Sequence, residues 1–269
     1  MITLLQASAP RLRPCVLLMG LGLLSVQLGA QAEGLEPETT LSFNVGALSD
    51  YRVRGIAQTS FQPALQGGID WAHRSGFYVG AFGSNVRWVK EFNGATKGSA
   101  EIDLYGGFKG ATDELPLTYD FGFITYQYPG NNSGVGGVFP AGTFANASTV
   151  EVYGAVSYKI YTLKINRSFG NFLGNLDSSG SLYVDLSAAV DLGNAFSLTP
   201  HIGRQTIPNQ AGDLGNYTDL SLTLAKDFGN GLVASAMATH TNGNRVFYTD
   251  INGRYLGKSA LVLGLKYNF

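Results

Sequence analysis

The residues of this chain that could do chemistry are charges spaced two apart on alternating stretches. Glu101 and Asp103 share a face with Tyr105 and Lys109, while Ile102, Leu104 and Phe108 take the other. The same reading puts Asp70, Asp120, Glu151, Asp185 and Asp219 on an inner face, together with Arg87, Lys109, Lys159, Lys164 and Lys266. Seven acids and five bases lining a wet interior would steer ions and small solutes. In a narrow interior they would instead pair across strands and fill it. Arg52 and Arg54 follow Asp50 in a polar stretch. They could form an anion funnel at a pore mouth or bind lipopolysaccharide phosphates, or simply pair with Asp50 on a solvated loop.

Nucleophilic chemistry is poorly supported. Cys15 is the only cysteine and lies in an N-terminal apolar run, so a processed chain has no thiol for disulfides, zinc or catalysis. His73 and Ser75 share a spacing but fall at a tight turn. His240 lies near the opposite rim with only Asp250 as a loop neighbour, and His201 reads as a polar interior residue. No enzyme activity, cofactor or metal site is expected from these residues.

Such inner faces require strands of alternating polarity. From about Lys258 to Phe269, Leu261, Leu263, Leu265, Tyr267 and Phe269 alternate with Ala260, Val262, Gly264, Lys266 and Asn268. One face suits lipid and the other a small or wet interior. Tyr267 and Phe269 read as an assembly signal of the kind that barrel-insertion machinery recognises. Similar stretches recur at about Thr39–Ser49, Gln62–Ala72, Phe77–Trp88, Ala100–Lys109, Leu117–Tyr128, Thr149–Lys159, around Leu163 and Ile165, Ser181–Asp191, Ala195–Gln205, around Leu220–Leu224, and up to Thr241. Pro200 has no N–H to give, so it demotes its strand or marks a bulge. Links after even-numbered strands are tight, and those after odd-numbered strands are long and polar. The expectation is an all-β, closed antiparallel transmembrane β-barrel of about twelve strands, with short periplasmic turns and longer extracellular loops. The long loop at Pro129–Ser148 could fold into the bore or stay outside. The first strand should pair with the last, placing Asn44 near Gly264.

Arg11 and Arg13, the apolar run from Cys15 to about Gly29, and Ala30-Gln31-Ala32 form a secretory signal peptide over residues 1–32, leaving 33–269 as one barrel domain. Its removal leaves 16 bases against 19 acids, a formal charge of −3, with no basic patch for nucleic acid. Only 14% of residues are charged, and Gly, Tyr and Phe number 36, 14 and 16. Mean hydropathy is +0.06, as lipid-facing and water-facing residues in alternation would give.

Ser49-Asp50-Tyr51-Arg52-Val53-Arg54-Gly55-Ile56-Ala57-Gln58-Thr59 resembles the hallmark stretch of the TorF family of porins. Pro63–Gly68, Ser75–Gly80, Ser84–Val86, Asp103–Gly107, Tyr126–Gly130, Glu151–Tyr153 and Tyr217–Asp219 resemble it further, with departures at Val53 and Ala57. The resemblance implies a bacterial outer-membrane barrel and leaves its substrate open. The expected function is a porin-like channel for small solutes or ions with a weak cation preference. The competing classes are a non-conducting structural or adhesion barrel acting through its loops, and an outer-membrane hydrolase. Expected partners are outer-membrane lipid and lipopolysaccharide, the barrel-assembly machinery, and the solutes themselves.

Overall fold

A computed structural model describes residues 37–269, so the expected signal peptide lies outside the described residues. Twelve strands form the wall: β1 (Thr39–Leu48), β2 (Ala64–His73), β3 (Phe77–Asn85), β4 (Ala100–Ala111), β5 (Leu117–Gln127), β6 (Thr149–Tyr158), β7 (Tyr161–Phe169), β8 (in two segments, Leu182–Ala188 and Val190–Gly193), β9 (Phe196–Thr206), β10 (Tyr217–Asp227), β11 (Leu232–Thr241) and β12 (Ala260–Asn268). Each pairs antiparallel with the next, and β12 closes the ring on β1. The fold is a closed antiparallel barrel of twelve strands. Closure leaves no edge with unpaired N–H and C=O groups, which hydrocarbon would not tolerate.

The seam is shifted by four residues from the expected register. Asn44 faces Asn268, and Gly264 faces Leu48. One step further, Phe43 and Phe269 exchange backbone hydrogen bonds of 2.8 and 3.0 Å, and their rings stack at 5.9 Å. Alternation then sorts the faces. Leu41, Leu65, Val79, Leu104, Phe121, Leu163, Leu222 and Leu263 are exposed on the outer surface, an apolar band of the kind that suits lipid. Aromatic side chains crowd the end that carries the tight turns: Trp71, Phe77, Tyr158, Tyr161, Phe196 and Phe228 are exposed there, as in an interfacial girdle.

Two local departures from the expected strands have physical causes. β3 stops at Asn85 because the Asn85 side chain accepts from Leu65 N–H at 2.7 Å and donates to the Pro63 carbonyl at 3.2 Å. The chain then turns into a single helical turn, α1 (Trp88–Glu91). β9 keeps its full length through Pro200. The ladder from β8 lapses opposite it, between Ser187↔His201 and Val190↔Leu198, without a change of register. The irregular step lies further on, between Asp191 and Gly193.

Loop lengths sort by parity. Residues 74–76, 112–116, 159–160, 194–195 and 228–231 make the tight turns; 49–63, 86–99, 128–148, 170–181, 207–216 and 242–259 make the long loops at the other end.

Candidate functional site

The 49–63 loop, and not 128–148, enters the bore. Arg52–Val53 and Ile56–Ala57 pair as a small hairpin. Its turn residues Arg54 and Gly55 both take positive φ, 51° and 78°. This is the two-residue turn whose twist fits paired strands. A left-handed Arg is disfavoured by about 1–2 kcal/mol, so something must hold it there. The Arg54 guanidinium donates to both Glu151 oxygens at 3.0 and 2.6 Å and to Gln205 Oε1 at 2.8 Å. Burial works against its charge, yet Glu151 drives the pKa of Arg54 above its already high ordinary value. The tip also abuts the opposite wall: a Cβ on Gly55 would lie 2.9 Å from Asp219 Cβ and would strike the Thr241 methyl. The hairpin thus runs from β1 across to β6, β9, β10 and β11.

The base of the hairpin is equally fixed. Tyr51 is fully buried and donates to Glu101 at 2.6 Å, as does Tyr128 at 2.8 Å. Burial, and then the neighbouring Glu101 carboxylate, push the Tyr51 phenol well above its usual pKa, so it remains a donor. Arg52, expected at an exposed pore mouth, is buried: it pairs with Asp50 at 2.7 Å and donates to the carbonyls of Gly55 and Lys258. The arginines therefore hold the loop and do not form an outward-facing funnel.

Arg87 is also displaced from its expected inward position. Because β3 ends at Asn85, Arg87 precedes α1 with a side chain 47% exposed, paired to Glu91 at 2.7 Å. Backbone N–H groups of Arg87 and Trp88 donate to the Gln58 carbonyl, so this second loop clamps the first. Glu91 collects Ser60, Arg87 and Arg254, at 2.7 Å for Arg87 and 2.8 Å for Arg254. Burial alone would raise its pKa, but these donors and charges hold it below the ordinary value.

The inward charges divide into two levels. Near the outer end, Glu101, Asp103, Glu151 and Asp219 are 0–2% exposed. Neither oxygen of Asp103 has a hydrogen-bond partner among the described residues. Toward the tight-turn end, Asp70, Lys109, Asp120, Lys164, Asp185 and Lys266 are half-buried. Tyr105 donates to Asp70 at 2.5 Å, and Tyr78 to Asp120 at 2.6 Å. Lys164 Nζ sits 4.0 Å from the Tyr153 ring centre and Lys109 Nζ 5.6 Å from that of Tyr78. Lys159 lies at the 159–160 turn, exposed and outside the bore.

These interior tyrosines escaped the candidate set, although their parity with the charges was visible. They lie flat over glycines of adjacent strands. A Cβ on Gly107 would come within 2.6 Å of the Tyr78 hydroxyl, and one on Gly203 would collide with the Tyr183 hydroxyl.

The three histidines sit in separate local networks. His201 Nε2 lies 2.6 Å from Asp185 and 3.1 Å from the Tyr183 hydroxyl, while Nδ1 lies 3.6 Å from Asp219 and 3.4 Å from Ser221 Oγ. His240 has a partner the sequence did not suggest, Ser259 at 2.8 Å, but Asp250 is tied to Arg254 at 2.8 Å. His73 bonds Ser75 at 2.6 Å within its turn. No cluster of three or more metal-ligating side chains occurs among the described residues.

Outside the hairpin lies a small, partly open cavity of about 60 Å³. Trp88, Phe92, Phe172, Tyr217, Phe247 and Tyr248 supply aromatic walls, and Val53, Arg54 and Ile56 of the hairpin contribute to the lining. Tyr217 meets Tyr248 edge-on at 5.1 Å, and Tyr248 donates to the Gly215 carbonyl at 2.5 Å.

A family model described as "Bacterial protein of unknown function (Gcw_chp)" matches residues 31–269. No curated protein matches the chain. Among solved structures it is similar to the KdgM porin, with a TM-score of 0.52 at 6% identity over 85% of this chain and 99% of that one. It is similar to the KdgM porin in complex with disordered oligogalacturonate, at 0.51 and 6%, over 85% and 98%. The NanC porin gives 0.49 and 10%, over 86% and 99%. At such identity the KdgM likeness establishes the fold: a barrel of the outer-membrane porin type.

Proposed function

We propose that this chain, which belongs to the Gcw_chp family, works in the bacterial outer membrane as a channel for small solutes or ions, throttled at its outer mouth by the hairpin at 52–57. The observation that carries this reading is the Arg54–Glu151 pair, which pins an inserted loop across a bore otherwise lined by half-buried charges. The resemblance to the TorF porins and the fold shared with KdgM support the same class. Outer-membrane lipid and lipopolysaccharide are its surroundings in this reading, and the barrel-assembly machinery its partner during insertion, with Tyr267 and Phe269 as the signal.

The weak cation preference takes a more specific form. The acidic excess of the interior lies in Glu101, Asp103, Glu151 and Asp219, which the docked hairpin covers. Below it, Asp70, Asp120 and Asp185 face Lys109, Lys164 and Lys266, a balanced set of formal charges. The preference for cations therefore belongs to the state in which the hairpin has left, when low-dielectric walls focus the field of the uncovered acids. A non-conducting barrel acting through its loops draws on the same inserted hairpin.

Planar-bilayer recording separates the two. The purified protein should conduct, with Arg54→Ala giving larger and more frequent openings and a reversal potential shifted toward cations. A silent wild type together with a silent Arg54→Ala variant of intact fold would leave the non-conducting reading standing.

A further inference from the structure

The cavity outside the hairpin has unspent recognition chemistry. Its volume, about 60 Å³, is several times the roughly 10–15 Å³ that a single water needs, room for one small ring. Aromatic and aliphatic side chains make up most of its lining, so it favours an apolar body. Its polar groups are few and specific. Gln58 donates its amide to the Ile56 carbonyl at 2.9 Å, and Asn175 donates its own to the Phe172 carbonyl at 2.9 Å. That leaves Gln58 Oε1 and Asn175 Oδ1 as acceptors without a donor among the described residues, although Gln58 is only 5% exposed. The indole N–H of Trp88 has no acceptor among the described residues, but it exposes no surface to the chamber. Two free acceptors call for a donor, and a hydroxyl supplies one without charge.

Charge narrows the class further. Arg54 reaches the lining, but Glu151 already holds its guanidinium through two hydrogen bonds. An anionic ligand would have to break that buried pair. A sugar would bring more hydroxyls into this aromatic chamber than the two open acceptors could serve. We propose that the chamber is a binding site for a small uncharged aromatic alcohol, of the phenol class, its ring among Phe92, Phe172 and Tyr248 and its hydroxyl toward Gln58 and Asn175. The site does not depend on whether the barrel conducts.

The chain has two tryptophans, and Trp71 lies on the outer face. Trp71→Phe makes Trp88 the sole indole reporter in the folded barrel in detergent. Phenol should change its fluorescence saturably, whereas benzoate should bind more than about ten-fold weaker and glucose should have no effect. Gln58→Leu should weaken phenol about five-fold, the size of one hydrogen bond. Leu173→Phe, which fills the chamber from its wall, should abolish the response while the far-ultraviolet spectrum stays that of a barrel. A response to phenol that never saturates, benzoate binding as tight as phenol, or a Leu173→Phe variant that responds like its parent would overturn the proposal.

Discussion

The two ends of the bore are built by the same strand alternation and yet differ in what their charges can do. At the outer end, Glu151 is sealed against Arg54 and Glu101 against Tyr51 and Tyr128. At the inner end, Lys109 and Asp120 rest against Tyr78 and remain half-buried. Period two decides which side chains point inward, but the inserted hairpin decides which of them meet water. A dry charge acts on stability, whereas a wet one acts on the ions passing it.

The contrast breaks most sharply at Arg54. Arg54→Ala should lower stability by up to about 3–5 kcal/mol, the cost of breaking a buried ion pair, part of which Glu151 recovers by meeting water once the hairpin leaves. Lys109→Ala at the inner end should lower it by only about 0.5–1 kcal/mol, the scale of an exposed cation–π contact. Thermal unfolding in one detergent compares them, and equal losses would erase the distinction between the two ends. Next in size is Gly55→Val. It places a Cβ against Asp219 and Thr241 at a positive φ, so the hairpin should leave the wall and unitary conductance should rise. Unchanged conductance with a changed melting point would mean that the tip packs without throttling.

Glu101→Gln with Asp103→Asn sharpens the comparison differently. Both carboxylates are covered, so the reversal potential of the docked channel should not move. The same double change made with Arg54→Ala should shift it toward anions. A shift without the Arg54 change would mean that these acids face the water path even with the hairpin in place. The smallest effect is expected from pH acting on Glu91. Its folded pKa is depressed, so its contribution is complete above the ordinary carboxylate range and fades as pH falls through the lowered value. Trp88 fluorescence in the Trp71→Phe protein should report the outer loops loosening in acid, and Glu91→Gln should remove that transition.

Most of the wall was legible in the sequence because lipid enforces alternation without exception, and because turns and loops differ in length at the two ends. Twelve strands and the inner side of Asp70, Glu101 and Asp219 follow from that rule alone. The hairpin was not legible. Tyr51, Val53, Ile56 and Gln58 carry strand-like character around Arg54-Gly55, but the stretch is too short to separate from a polar loop by period. Its inward course depends on Glu151 and Gln205, roughly 100 and 150 residues away. Arg87 was misplaced for a local reason: nothing in the apolar run up to Trp88 shows that the Asn85 side chain would end the ladder.

The tyrosines laid over glycines bear on the aperture of the tube. Where Gly107 and Gly203 give no side chain, the phenol rings of Tyr78 and Tyr183 recline against the wall instead of standing in the passage. A methyl at Gly203 would push the Tyr183 ring off the wall, whereas one at Gly107 would also have to displace the Phe121 carbonyl of the neighbouring strand. The calibre of the bore is thus written in the residues that contribute nothing to it, and lineages of this barrel could widen or tighten the passage by trading glycine for alanine beneath an unchanged tyrosine.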